Sequence, residues 1–511
     1  MTSNQIKLYW NTARHLKPTQ IWHRVWRPSP GPYLQFSDAL PRVVGGTLAS
    51  SIQRENPWLG GKRWRHLNQE RTIDTWNDAG IDKLWLYHLH YLERPNPEIV
   101  SAWIKENPPG AGNGWEPYPI SRRVSNWIFW LLEDSLEHEV RRNAERSLAH
   151  QVEWLSHRVE WHLLGNHLWA NAKALIMGGV YFDCSAADCW LKEGIEIFQR
   201  ELREQVLEDG GHFELSPMYH ALALEDLLDL VNLAGIYPQP LKNEEGEWRA
   251  TAGKMLGWLA QMTHPDGQLA YFNDAVQGIA PTLAQLQAYA EALGVKEERV
   301  RLGASGYARI ESGDTTVILD AGPIGPDYQP GHGHCDMLSI EASHKGQQVI
   351  ANSGISTYEK GEQRLAERRT AAHNTVRVDN AEQSELWGSF RVGRRARVIE
   401  ANTENGNCAE GAHDGYKGLK GHVVHRRRVD VANGKVTVSD QLEGTGEHTA
   451  EIFWHPAVNA DVQVEFEAPL VRREETGWWC EGFNKKVDRP VVVGVWSGAL
   501  PVELKSDLNF T

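Results

Sequence analysis

From about residue 80 to 300, apolar positions recur with the period of a helix. Trp127, Trp130, Leu131 and Leu132 fall at helical spacings, as do Leu224, Leu227, Leu228 and Val231, because side chains three and four apart share one face of an α-helix. Breakers divide the pattern at Pro108-Pro109-Gly110, Asp209-Gly210-Gly211, Pro238-Gln239-Pro240 and His264-Pro265-Asp266-Gly267. The spacing predicts paired antiparallel helices of about 12–18 residues, arranged as an α/α toroid or a solenoid. No sharp internal repeat favours the solenoid. Residues 1–75 predict a short helical start, then a meandering segment that packs on the toroid. This segment is rich in Trp, Arg and Pro, with Trp10, Trp22, Trp26 and a break at Pro28-Ser29-Pro30-Gly31-Pro32.

Near Gly303 the period changes. Tyr307 to Ile310, Thr315 to Leu319, Thr375 to Val378 and Ala396 to Ile399 read as strands. Val429 to Val438 reads as a hairpin with Asn433-Gly434 at its tip, the residue pair that suits a type I′ turn. Many short strands with Gly-rich turns predict an antiparallel β-sandwich. The expected organisation is therefore an N-terminal segment (1–75), an incomplete (α/α) toroid (76–302) and a β-sandwich (303–511). A cleft between the last two is the natural place for a site.

A chain of 511 residues exceeds what one hydrophobic core usually supports. Its net charge of −14 argues against general nucleic-acid binding and against a basic membrane-surface role. Local arginines can still receive a polyanionic sugar. The unusual count is 22 Trp, which predicts either a tryptophan-rich core or flat faces for stacking on sugar rings. Five scattered cysteines form neither a zinc knuckle nor a disulfide framework. The N-terminus lacks a signal-peptide pattern, and no stretch approaches the roughly 20 apolar residues of a membrane helix. As written the chain reads as cytoplasmic, or as periplasmic or secreted if a leader was removed.

The densest chemistry lies at Gly331-His332-Gly333-His334-Cys335-Asp336, echoed at Thr370-Ala371-Ala372-His373-Asn374-Thr375. On a strand, His332 and His334 would point to one face, where imidazoles bind metals or move protons. The plainer reading is a polar turn with surface histidines. In the helical half, Asn166 and His167 open an apolar helix after Gly165, either as a cap or as functional groups. Tyr219 follows Pro217 in the first turn of another helix. There the unpaired N–H groups would favour a tyrosinate, unless the residue is a half-buried core tyrosine. Trp115, Tyr118, Arg122 and Arg123 could hold an acidic sugar or could form an ordinary solvated face.

Asn166-His167, Phe213 to His220, Gly331 to Asp336 and Thr370 to Thr375, in this order, together resemble the heparinase II/III-like polysaccharide lyases, a group that includes alginate lyases of similar architecture. The early Leu84 to Leu92 segment is similar to their N-terminal domain. The resemblance runs from about residue 5 to 400 and implies the same toroid-plus-sandwich build. It implies β-elimination on a uronic-acid polysaccharide, in which the C5 proton leaves and the C4–O4 bond breaks. Asn166 would bind the C6 carboxylate with His167 beside it. Tyr219 would protonate O4 and could also serve as base, His332 would be the partner base, and Tyr358 a helper. The family's structural metal, zinc, implies His334 and His373 as ligands, with Asn352 at the position of an aspartate. Asp336 could compensate or support the ligands from behind. No organic cofactor is implied.

Two other functions compete with the lyase. One is a glycoside hydrolase using two carboxylates such as Glu214 and Asp274. The other is a non-catalytic polysaccharide-binding or assembly factor of bacterial exopolysaccharide synthesis. Ultraviolet absorbance of a conjugated enoate product separates the lyase from both.

Overall fold

The computed structural model describes residues 3–26, 40–133, 135–432 and 434–510. The Pro28 to Pro32 break and Asn433 lie outside the described residues. The helices, in chain order, are α1 (Ser3–Ala13), α2 (Pro18–Val25), α3 (Lys83–Tyr91), α4 (Pro97–Glu106), α5 (Pro117–Glu133), α6 (His138–Ser156), α7 (Gly165–Tyr181), α8 (Ser185–Gln205), α9 (Pro217–Ile236), α10 (Glu245–Gln261), α11 (Leu283–Ala292) and α12 (Glu362–Arg368). Helices α3, α5, α7, α9 and α11 pack on one another in succession as an inner layer, while α4, α6 and α8 follow outside them. This two-layer packing is the incomplete (α/α) toroid.

The inner helices explain their own sequences. In α7 and α9 nearly every side chain is buried, so their apolar pattern runs around the whole helix and not along one stripe. Close approach of α7 and α8 needs glycine. A Cβ at Gly179 would lie 2.6 Å from the backbone N of Leu191, and one at Gly194 would lie 2.8 Å from that of Ile176. Many of the tryptophans are buried in this half: Trp85, Trp103, Trp127, Trp169, Trp190, Trp248 and Trp258 are essentially inaccessible. The Trp count is thus in large part a packing signature, while Trp387 lines the cleft.

The second half is an antiparallel β-sandwich. A four-stranded meander (Tyr307–Ser312, Thr315–Asp320, Ile340–His344, Gln347–Ile350) faces an eight-stranded sheet built around Lys435–Trp454 and Lys485–Phe510. Strand Thr315–Asp320 is buried at every position because both faces are covered. Val317 and Leu319 join the core between the sheets, while Ile318 packs with Trp258, Met262 and Phe272 of the toroid half. Strands Val424–Ala432 and Lys435–Trp454 pair so that Ala432 opposes Lys435, and Gly434 takes φ +77°, as the tight hairpin requires.

Three expectations change. Residues 58–72 form a small three-stranded sheet (Trp58–Gly60, Arg63–His66, Gln69–Thr72) and not a meander. Ala396 precedes the strand Val398–Asn405. The segment 331–339 is a loop, so strand alternation does not orient His332 and His334.

Candidate active site

A cleft of about 900 Å³ opens between the toroid and the sandwich. Asn166, His167 and Tyr219 reach it from the helices, and His332 and Tyr358 from the β half. Five residues spread over almost two hundred positions are therefore brought together.

Both helical contributors stand at helix starts held by unusual backbone. Leu164, with φ +65° and ψ −157°, precedes α7, in a region that is costly for a residue with a side chain. Gly165 follows at φ +58°. Leu215, at φ +57°, precedes the Ser216 cap of α9, whose Oγ accepts the Tyr219 N–H at 3.2 Å. These turns aim Asn166 and Tyr219 into the cleft. The side-chain amide of Asn166 has no partner among the described residues, and its oxygen is buried. The Asn166 N–H donates to Glu214 Oε1 at 3.4 Å. His167 Nδ1 lies 3.1 Å from Glu160 Oε1. Burial opposes charge on His167, but the Glu160 carboxylate outweighs it and raises the imidazole pKa.

The Tyr219 and His332 rings lie with centroids 3.8 Å apart and planes tilted by 32°, and the Tyr219 and Tyr358 hydroxyls are 3.0 Å apart. Burial, reinforced by Tyr358, pushes the Tyr219 phenol well above its ordinary value. The expected tyrosinate is therefore not what this environment favours. The first-turn N–H of Tyr219 is already satisfied by Ser216, and desolvation of the phenolate dominates. The environment favours the neutral phenol at Tyr219.

Asp274 organises the other half of the site. One carboxylate oxygen accepts from His332 Nδ1 at 2.8 Å and the other from His334 Nε2 at 2.8 Å, and Arg364 spans both oxygens. The Asp274, His334 and Arg364 side chains are fully buried. Burial opposes ionisation of Asp274, but the Arg364 guanidinium and the two histidine hydrogen bonds hold its pKa well below the usual carboxylate range. An ionised Asp274 fixes the proton of His332 on Nδ1, which leaves the Nε2 lone pair free; the nearest acidic oxygen to Nε2 is Glu214 Oε2, 3.8 Å away. With both oxygens committed and no exposure, Asp274 has no room to act as a hydrolase carboxylate. Glu214 is equally enclosed, and burial raises its carboxyl pKa.

The same carboxylate sets up a candidate metal centre. His334 keeps its Nε2 proton for Asp274, so Nδ1 is left as a lone pair, and neither nitrogen of His373 has a partner among the described residues. Ligand atoms of His334, Asp336 and His373 all lie within 4.8 Å of one another. Two imidazoles with free nitrogens and one carboxylate fit a divalent ion. The Asn352 amide oxygen, expected beside these ligands, accepts from Ser339 Oγ at 2.7 Å and from the Asn374 N–H at 3.1 Å, and Asp336 is the carboxylate that clusters with His334 and His373.

The expected sugar-binding quartet divides. Tyr118 and Arg122 line the cleft, with the Tyr118 ring 4.6 Å from His167 and Arg122 paired to Asp226 at 3.0 Å. Trp115 is buried and donates to the Asn107 carbonyl at 3.1 Å. Arg123 is inaccessible. It donates to Gln151, the His90 carbonyl and the Gly114 carbonyl, and it stacks 3.9 Å above Trp103. Both are structural, because neighbouring helices cover them. Sequence reasoning missed Arg364, whose only local signal is a polar position in a short helix. It also missed Asn273, which adopts φ +55° while its side chain ties the Leu215 carbonyl to the His334 N–H. An Asn before Asp274 was the available hint, since Asn tolerates left-handed backbone.

Comparison with known proteins agrees with this build. Residues 77–298 match the model described as Heparinase II/III N-terminus, and residues 295–496 match Heparinase II/III-like, C-terminal. The chain is 26% identical to the heparin-sulfate lyase of Bacteroides stercoris over 492 residues, covering 84% of this chain and 70% of that relative. It is 26% identical to the heparin-sulfate lyase of Pedobacter heparinus over 343 residues, covering 58% of this chain and 50% of that relative. Among solved structures, heparinase III superposes with a TM-score of 0.64 at 17% identity, covering 84% of this chain and 73% of that one. The heparan sulfate lyase HepC of Pedobacter heparinus gives 0.58 at 20%, covering 88% and 81%. With both halves matched in order and the fold shared, the chain belongs to the heparinase II/III-like family.

Proposed function

We propose that the protein is a polysaccharide lyase that cleaves a uronic-acid-containing polysaccharide by β-elimination. The observation that carries this reading is the convergence of Asn166, Tyr219 and His332 on one cleft, with a neutral phenol set against an imidazole whose Nε2 is free. The names of the curated relatives support a sulfated uronate polymer as the first substrate to test.

The C5 proton of a uronate is weakly acidic while the adjacent carboxylate is charged, so the site must first disperse that charge. The unpartnered Asn166 amide, the His167 imidazole, whose pKa Glu160 raises, and the enclosed Glu214 carboxyl surround the place where the carboxylate binds. His332 Nε2 takes the C5 proton, and the C5–H electrons form the C4–C5 double bond. As the C4–O4 bond breaks, Tyr219 delivers its proton to the departing O4. Tyr358, within hydrogen-bond distance, then restores the Tyr219 proton from solvent. The His334, Asp336 and His373 cluster would hold a divalent ion, with zinc the best match to two imidazoles and a carboxylate. A bound ion would cross-link the 331–339 loop to His373 and keep it rigid.

The test is enoate absorbance during incubation with heparan sulfate, alginate and other uronate polymers, for the parent and for Tyr219→Phe. The phenyl ring preserves packing, so affinity should stay within a few fold while turnover falls by about 10²–10⁴. No enoate from any polymer would sink the lyase reading in favour of a binding factor. A normally folded Phe variant with the parent rate would remove Tyr219 from the proton path.

A further inference from the structure

One end of the cleft is walled by α1 and α2, which tie the two halves of the molecule together. On the toroid side, Lys17 pairs with Glu204, Gln20 donates to the Leu163 carbonyl at 3.3 Å, and Arg24 donates to the His162 carbonyl at 3.2 Å. On the β side, Trp387 Nε1 donates to Thr12 at 3.0 Å, Arg395 donates to the Asn11 carbonyl at 3.3 Å, and the Tyr9 ring meets Trp387 edge-on at 5.1 Å. The strap therefore joins the loop that leads into Asn166 to the hairpin that carries Phe390, whose ring lies 5.8 Å from His332.

Charge at this end differs from the rest of the cleft. Elsewhere the cleft arginines are neutralised: Arg54 is bidentate to Glu225 at 2.6 and 2.7 Å, and Arg122 pairs with Asp226. Arg24 and Arg391 also line the cleft, yet neither has a carboxylate within ion-pair distance among the described residues. Arg24 stands on α2 and Arg391 over Trp387, whose indole donates to Thr12 of α1, so both line the strap end, and the Arg391 charge adds to burial in lowering the Arg24 pKa. Arg395 adds a third guanidinium. The acidic neighbour of Arg395, Asp327, stands 3.9 Å away and is largely exposed. Arg391 lies 4.5 Å over the Trp387 ring, an arrangement that holds the guanidinium flat and leaves its N–H edge for a ligand. In a chain of net charge −14, Arg24 and Arg391, with no such carboxylate among the described residues, are a local exception.

We propose that Arg24 and Arg391 form an anion subsite at the strap end of the cleft. It takes a carboxylate or sulfate of the polysaccharide at a sugar other than the one whose bond is cleaved. The assignment deepens the lyase reading and rests on it. The subsite touches no reacting atom, so it contributes binding to ground state and transition state alike, and its effect grows with the length of chain that reaches it.

The direct experiment is calorimetry with heparan sulfate, fully desulfated heparan sulfate and alginate. It uses the Tyr219→Phe protein, so that the polymer survives, with and without Arg24→Gln and Arg391→Gln. The expected result is an affinity loss of about tenfold or more for the double Gln variant. A loss that persists on desulfated polymer assigns the subsite to carboxylate, and a loss confined to sulfated polymer assigns it to sulfate. Arg391→Lys should recover part of the affinity by restoring charge without the fork. In the active background, the fall in kcat/KM should be larger on polymer than on the shortest cleavable oligosaccharide. Equal affinities with matching melting curves, or a loss of kcat independent of length, would overturn the subsite. Binding without enoate formation by the parent would instead remove the lyase reading while leaving the subsite standing.

Discussion

Asp274 is the residue on which most of the site depends, because one carboxylate orients the proposed base His332, a candidate metal ligand His334 and the buried Arg364. Changing Asp274→Asn removes the charge with little change of shape. The His332 tautomer would no longer be fixed, and kcat should fall by about 10²–10⁴ when assayed well below the melting temperature. Arg364 would be left as a buried, poorly paired cation, a defect worth about 3–5 kcal/mol, so denaturant titration should show a lowered midpoint. A variant that is destabilised but fully active would show that Asp274 serves the fold alone. For the metal centre, elemental analysis of protein purified without chelator should find about one divalent ion per chain. His373→Ala should abolish it, since both His373 nitrogens are otherwise unpartnered and buried. Retention of the ion by Asn352→Ala would confirm that the amide is not a ligand.

At the scale of elements, the proposed site sits on the first turns of α7 and α9, and both turns are specified by backbone. Gly165 combines φ +58° with a close neighbour: an added Cβ would fall 2.7 Å from Glu214 Oε1. Gly165→Ala should therefore cost about 1–2 kcal/mol from left-handed strain and push Glu214 away from Asn166, so activity should fall more than the melting temperature explains. Ser216→Ala deletes the cap that accepts the Tyr219 N–H and should cost about 1 kcal/mol, read as a shift in the denaturation midpoint. An unchanged midpoint would mean that Pro217 and the burial of α9 suffice to start the helix.

For the molecule as a whole, the many enclosed histidines set the acid limit of stability. Burial lowers His66 and His90 to about 3 and His220 to about 4, and holds His413 well below 6.5. In the unfolded chain these groups take protons below about 6.5, while the folded state resists until much lower pH. Stability therefore falls as pH drops from about 6.5 towards 4, by up to about 1.4 kcal/mol per unit for each group. Glu214 and Asp320, raised by burial, act in the opposite sense and offset part of this loss. Tyr219, Tyr307 and Tyr416, all raised well above 10, bring a second decline above about pH 10. Scanning calorimetry with chelator present, to separate metal loss, should show a plateau near neutrality and a steep acid side. A flat melting temperature from pH 7 to 4.5 would contradict this account.

The pattern of apolar positions was enough to place the change from toroid to sandwich near residue 300, because periods of 3.6 and 2 are local properties of the chain. The four motifs, through their resemblance to the family, were enough to expect Asn166, Tyr219 and His332 to meet in one cleft, and they do line one. The sequence could not separate a cleft-lining Arg122 from a buried Arg123, since the same helix shows one to the cleft and the other to Trp103 and α6. It could not show that His332 and His334 are held by Asp274 in a loop, a geometry that strand alternation does not describe. Nor could it show that Ser339 and Asn374 both donate to the Asn352 amide oxygen, or that Asp336 lies beside His334 and His373. It left the ionisation of Tyr219 open as well, because the field of a helix end is a local property whereas desolvation is imposed by everything packed around it. Periodicity and side-chain chemistry are carried by the chain itself; partners, tautomers and charge states come from residues far apart in sequence, and only the folded packing brings those together.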